Sequence, residues 1–123
     1  MPLDSVKPKK RVLIVDDERA ILKVLGIKLG ISGYEVITAS KGLEALQLID
    51  QKCPDIMLLD VIMPGMDGFT VLKEVRSRTD LPVIVLSARP ENGQIARGLG
   101  ANDFLCKPFD LDDLIIDIQK LLN

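Results

Sequence analysis

Strand-like and helix-like patterns alternate five times along this 123-residue chain, and that alternation admits few folds. Val12–Val15, Asp55–Leu59 and Val83–Leu86 are short apolar runs; Tyr34–Ala39 alternates apolar and polar residues; Asp103–Cys106 is the fifth strand candidate. Runs this short, rich in branched side chains, read as strands buried in a parallel sheet. Between them lie helical periodicities. Arg19–Ile31 puts Ile21, Leu22, Leu25 and Leu29 on one face, and Ser32-Gly33 stops it. Leu43–Ile49 follows Ser40, an expected N-cap. Phe69–Arg78 follows the turn-rich loop Pro64–Gly68, in which Asp67 reads as a turn or cap residue. A short fourth helix fits within Asn92–Leu99. The last helix, Leu111–Leu122, is the cleanest: Leu111, Leu114, Ile115, Ile118, Leu121 and Leu122 share one face, with Asp110 placed to cap it. Ile116 falls on its polar side. Strand-to-strand crossovers are right-handed, so five such pairs predict one α/β domain over residues 11–123, with helices on both faces of a parallel sheet. Residues 1–10, with Lys7, Lys9 and Lys10 beside Pro8, read as a flexible leader.

Composition narrows the chemistry. Hydrophobic residues make up 47% of the chain and aromatics 3%, so the core is aliphatic. A net charge of −2 gives no argument for direct nucleic-acid or membrane binding. No apolar stretch is long enough to span a bilayer and no secretory pattern opens the chain, so the cytoplasm is the expected location. Two cysteines, Cys53 and Cys106, make neither a disulfide framework nor a zinc site. The chain has no histidine, which removes histidine triads, histidine metal sites and a phosphohistidine on this chain.

The polar residues at the strand ends carry the functional signal. Asp16 and Asp17 follow the first strand, Asp60 the third, Ser87 the fourth and Lys107 the fifth. In open parallel sheets ligands bind beyond the carboxyl ends of the strands, so these five groups converge on one edge. Crowded carboxylates repel one another, and a hard divalent cation with oxygen ligands is the natural partner. The set suits phosphoryl transfer to a carboxylate nucleophile. A cation neutralises the incoming phosphoryl oxygens, Lys107 adds a point charge and Ser87 a hydroxyl donor.

With these motifs in order, the chain closely resembles the response-regulator receiver domain of two-component signalling. The resemblance covers about Arg11 to Leu122. It rests on Asp16-Asp17-Glu18, on the segment from Asp60 through Met63-Pro64 and Gly65 to Asp67-Gly68, on Ser87-Ala88, on Gly100–Phe104, and on Lys107-Pro108-Phe109. It implies a flavodoxin-like, doubly wound five-stranded sheet of order 2-1-3-4-5 flanked by five helices. It implies Asp60 as the phosphoacceptor, with Mg²⁺ (Mn²⁺ as substitute) held by Asp16, Asp17, Asp60 and the backbone carbonyl of Ile62. Ser87 would then bind a phosphoryl oxygen, Lys107 would pair with the acceptor or its phosphate, and Phe104 would be the switch aromatic. Ala88, being small, would leave room for that ring. Lys107-Pro108 would be a cis peptide. Ile62 and Arg89 would occupy positions that modulate phosphoryl lifetime. The implied donor is a sensor histidine kinase or phosphotransfer protein. The implied output face, for a homodimer or downstream partner, is the fourth helix, fifth strand and fifth helix. Gly93 and Gly98 weaken that fourth helix, since each mid-helix glycine costs about 0.5–1 kcal/mol relative to alanine.

Three other readings share the α/β pattern. A flavin- or nucleotide-binding module would present a glycine-rich loop to phosphate, whereas the first loop here is Asp16-Asp17-Glu18 and neither G-x-G-x-x-G nor a Walker A pattern occurs. An aspartyl-phosphate phosphatase would need a substrate pocket and usually a cap insertion, for which this length leaves little room. A static interaction module would have no use for the complete acid, hydroxyl and lysine set. The expected protein is a signalling switch that catalyses only its own phosphorylation and dephosphorylation.

Overall fold

The five expected strands form a single parallel sheet. In the computed structural model, which describes residues 8–65 and 67–123, the chain runs β1 (Arg11–Val15), α1 (Arg19–Ile31), β2 (Glu35–Ala39), α2 (Gly42–Lys52), β3 (Ile56–Asp60), α3 (Gly68–Arg78), β4 (Val83–Ser87), α4 (Asn92–Gly98), β5 (Asp103–Cys106) and α5 (Leu111–Leu122). The strand order is β2-β1-β3-β4-β5, as the resemblance implies. Most of the expected leader, residues 1–7, lies outside the described residues, as does Met66 in the loop before α3.

Successive side chains of a strand point to opposite faces, so each strand feeds two cores. Val12, Ile14, Ile56, Leu58, Ile84 and Leu86 face α1 and α5, where Leu25, Leu29, Leu114 and Ile118 meet them. Leu13, Val15, Met57, Leu59, Val83 and Val85 face the other helices and pack with Ala45, Leu46, Val71, Leu72, Val75 and Ala96. Each fully buried Val, Leu, Ile or Met side chain among these contributes roughly 1.5–3 kcal/mol. The central strands β3 and β4 are buried along their whole length, while the edge strands β2 and β5 are partly exposed. Every strand thus enters the sheet with its carboxyl end on the same edge.

Several boundaries move by one to three residues from the sequence reading, and three of the differences have a local reason in the contacts. Tyr34 does not open β2. It closes α1: its N–H bonds to Leu29 O at 3.0 Å, and the Gly33 N–H to Gly30 O at 3.1 Å, with Gly33 at φ +97°. That is a Schellman cap, which uses glycine for its left-handed residue. Ser40 is not the N-cap of α2; Lys41 holds that position, and the Ser40 N–H is taken by Glu44 Oε1 at 2.9 Å. Asp55 stands before β3, where its carboxylate accepts the Arg11 N–H at 2.7 Å, so the strand shifts by one residue and takes in Asp60. The caps expected elsewhere are present: Asp67 accepts from Thr70 N and Asp110 from Asp112 N.

The start of α3 is pressed against the end of β3. A Cβ on Gly68 would fall on Val61 Cα and lie 2.5 Å from the Asp60 carbonyl oxygen, and backbone cannot give way as a side chain does. Gly68→Ala is therefore expected to cost at least about 1–3 kcal/mol. Urea unfolding of the variant reads this directly; an unchanged midpoint would show that α3 is free to move off the strand.

Candidate functional site

The register of the sheet sets the site. Val15 pairs with Leu59, Asp60 with Leu86, and Ser87 with Cys106, so Asp16, Asp60, Ser87 and Lys107 all fall at one sheet edge. β1 lies between β2 and β3, where the chain's progression through the sheet reverses; this is the switch point at which doubly wound sheets leave a crevice. The Lys107 N–H bonds to Ser87 O at 2.8 Å, which continues the β4–β5 ladder and fixes where the lysine leaves the sheet.

Four of the expected groups come together there. Lys107 Nζ lies 2.9 Å from Asp16 Oδ2 and 3.4 Å from Asp60 Oδ2, so its tighter partner is Asp16 rather than the expected acceptor. Asp16 and Asp60 are both buried. Backbone amides hold their other oxygens: Glu18 N–H donates to Asp16 Oδ1 at 2.9 Å, and Ile62 N–H to Asp60 Oδ1 at 3.0 Å. Asp17 is exposed at the mouth, and one carboxylate oxygen from each of Asp16, Asp17 and Asp60 lies within 4.8 Å of the others. Three carboxylates gathered this closely are the donor type that a small, hard cation such as Mg²⁺ takes. Ile62 follows Asp60 by two residues, and its carbonyl accepts no backbone hydrogen bond among the described residues. With three carboxylates around one ammonium, the cluster carries a formal excess of two negative charges.

The charges act on each other. Burial pushes the Asp60 carboxyl above the usual range; the Ile62 amide opposes this, the Asp16 charge adds to it, and Lys107 opposes it. Burial alone would lower Lys107, but its bonds to Asp16 and Asp60 outweigh that and raise it, so the ammonium stays charged across the physiological range.

Ser87 sits at this edge and Phe104 lies further back along β5, opposite Val85; neither joins the cluster. Ser87 Oγ is buried and accepts two hydrogen bonds, from Asn92 Nδ2 at 2.9 Å and from Arg89 N at 3.2 Å. Asn92 was visible in the sequence only as the start of a short helix; its bond to Ser87 depends on how α4 folds back over β4. Phe104 is partly buried, with its ring against Gly93 in the first turn of α4. Ala88 lines a groove of about 420 Å³ on the other side of the sheet edge, between α1 and Lys107-Pro108-Phe109. Lys107-Pro108 is cis, as the resemblance implies.

A raised acceptor pKa has a stability consequence. The folded state holds the Asp60 proton more tightly than the unfolded chain, so stability is lost as pH rises through the folded value. Asparagine mimics the protonated form. In chelator, Asp60→Asn should therefore melt higher than wild type at pH 7, with the gap closing as the pH is lowered into the acid range. Equal melting of the two proteins at pH 7 would contradict the crowding described here.

Comparison with known proteins agrees with this geometry. The family model described as "Response regulator receiver domain" matches residues 12–119. "Probable transcriptional regulator ycf27" of Guillardia theta is 43% identical over 97% of this chain and 48% of its own length. "Response regulator MprA" of Mycobacterium leprae is 44% identical over 92% of this chain and 51% of its own. The chain thus spans about half the length of these curated relatives. Among solved structures, the chemotaxis protein CheY4 of Vibrio cholerae superposes with a TM-score of 0.87 at 35% identity, covering 94% of this chain and all of that one. The chain belongs to the response-regulator receiver family of two-component signalling.

Proposed function

We propose that this domain accepts a phosphoryl group on Asp60 from the phosphohistidine of a sensor kinase or phosphotransfer protein, in the cytoplasm, and passes the change on to an output partner. The observation that carries this reading is the partly buried ammonium of Lys107 between the buried carboxylates of Asp16 and Asp60, with a third carboxylate within reach. Such a cluster holds more negative charge than one lysine balances, and it is built to receive a cation.

Asp16, Asp17, Asp60 and the Ile62 carbonyl form the ligand set for Mg²⁺ or Mn²⁺. When bound, the ion supplies charge neutralisation for the phosphoryl oxygens as they enter an acidic pocket. The chain's own groups do the rest. An Asp60 oxygen forms the new bond to phosphorus while the bond from phosphorus to the donor's imidazole nitrogen breaks, and that nitrogen leaves with its electron pair. The Ile62 N–H fixes the carboxylate plane. Lys107 meets the charge carried in with the phosphoryl group, and Ser87 turns its hydroxyl toward one of the phosphoryl oxygens. Phe104 follows Ser87, and the face formed by α4, β5 and α5 changes for a dimer or downstream partner. Ile95 and Ile116, large apolar residues exposed on α4 and α5, support that choice of face. The groove beside Lys107, lined on α1 by Ala20, Ile21 and the exposed Val24, supports approach of the donor from the α1 side. Among the described residues no helix is long and apolar enough to cross a membrane.

Intact mass after incubation with acetyl phosphate tests the chemistry. Wild type should gain one phosphoryl group in Mg²⁺, none in chelator, and Asp60→Asn none in either. Labelling that survives in Asp60→Asn would move the acceptor elsewhere, and labelling indifferent to Mg²⁺ would remove the metal from the account.

A further inference from the structure

Asn92 and Gly93 are consecutive, yet they meet side chains from two different strands. Asn92 donates an Nδ2–H to Ser87 Oγ across 2.9 Å, and both residues are buried. The same Oγ accepts the Arg89 N–H at 3.2 Å. A serine hydroxyl has two acceptor lone pairs and one proton, so both acceptor positions are filled from the α4 side. One residue on, a Cβ at Gly93 would stand 3.0 Å from Cδ2 and 3.3 Å from Cε2 of Phe104. The ring therefore rests on the helix backbone, at a position where a side chain would have to push it away. The sequence reading took Gly93 as a weak point of the helix; here it is also the seat of the aromatic ring.

What else holds this end of α4 is local backbone: the Asn92 N–H bonds to Arg89 O and the Gly93 N–H to Pro90 O, both at 3.1 Å. The helix is seven residues long, with no side-chain cap and no acid in its first turn. Helices this short are marginal on their own, so contacts to the sheet decide where the first turn sits.

We propose that Asn92 is a positioning residue whose bond to Ser87 exists only in the resting state. When Ser87 Oγ swings toward a phosphoryl group on Asp60, that bond breaks and the first turn of α4 is released, together with the Phe104 ring seated on Gly93. This rests on the reading of Asp60 as phosphoacceptor. A contact present in one of two states biases their populations, so its loss favours the other state. Removing the Asn92 amide makes the phosphoryl-bound form easier to reach, the opposite of what a purely structural defect does.

The test compares wild type, Asn92→Ala and Asn92→Leu, titrated with beryllofluoride in Mg²⁺ while amide exchange is followed over Gln94–Leu99. Asn92→Leu keeps the side-chain size, so a shift shared by both variants reports the lost donor and not a cavity. In wild type the analogue should lower protection across these amides. Both variants should show the lowered protection without it and bind it about fivefold more tightly, the scale of one net hydrogen bond removed from the resting state. Wild-type or weaker affinity in Asn92→Leu overturns the proposal. Labelling of wild type by acetyl phosphate separates the two claims: if it succeeds and the variants do not shift, the Asn92 role alone falls; if wild type takes neither label nor analogue, the phosphoacceptor reading falls and this proposal with it.

Discussion

One ammonium between two buried carboxylates organises the functional edge of this protein. Lys107 Nζ reaches Asp16 and Asp60 from a third strand, so the ends of β1, β3 and β5 are tied through a single side chain. Removing the lysine would leave two buried carboxylates without their counter-ion, which is far costlier than the loss of a surface ion pair. The lysine does not finish the task, however. Asp17 adds a third carboxylate, and burial works against the ionised form of Asp60. The site carries more negative charge than its lysine balances, and that excess is what the proposed cation would relieve.

The sheet makes this arrangement with little local specialisation. Parallel strands with helical crossovers deliver every carboxyl end to the same edge, and the register places Asp60 opposite Leu86 and Ser87 opposite Cys106. Two aliphatic cores, one on each face, hold the strands in that register, because slipping any strand by one residue would exchange its two faces. Gly68 then lets α3 start directly against the β3 terminus. The precision of the site is a product of ordinary packing.

Much of this was legible in the sequence. The apolar runs marked the strands, and the polar residues that ended them marked the site, because strand-end position and chemical type are both local properties. Asp16, Asp17, Asp60 and Lys107 converge as that reasoning expects. What escaped it depends on how elements fold back on each other. Tyr34 reads as strand because it opens the apolar–polar alternation of Tyr34–Ala39, but the Schellman cap of α1 claims it. Ser40 has the residue type of an N-cap, yet Lys41 holds that position at the start of α2. The bond from Asn92 to Ser87 has no local signal, since it depends on the packing of α4 over β4. Nor did the sequence indicate that Lys107 would lie nearer Asp16 than Asp60.

The most direct test of the central claim is the effect of Mg²⁺ on stability in the absence of any phosphoryl donor. A ligand that binds only the folded state stabilises it by RT ln(1 + [L]/Kd), so the thermal midpoint should climb steadily with Mg²⁺ at pH 7. Asp17→Asn removes the exposed ligand without disturbing the Lys107 pairs, and should flatten that climb. A wild-type midpoint indifferent to Mg²⁺, or a climb unchanged in Asp17→Asn, would mean that the three carboxylates are not a metal site, and that the excess charge at the sheet edge is borne in some other way.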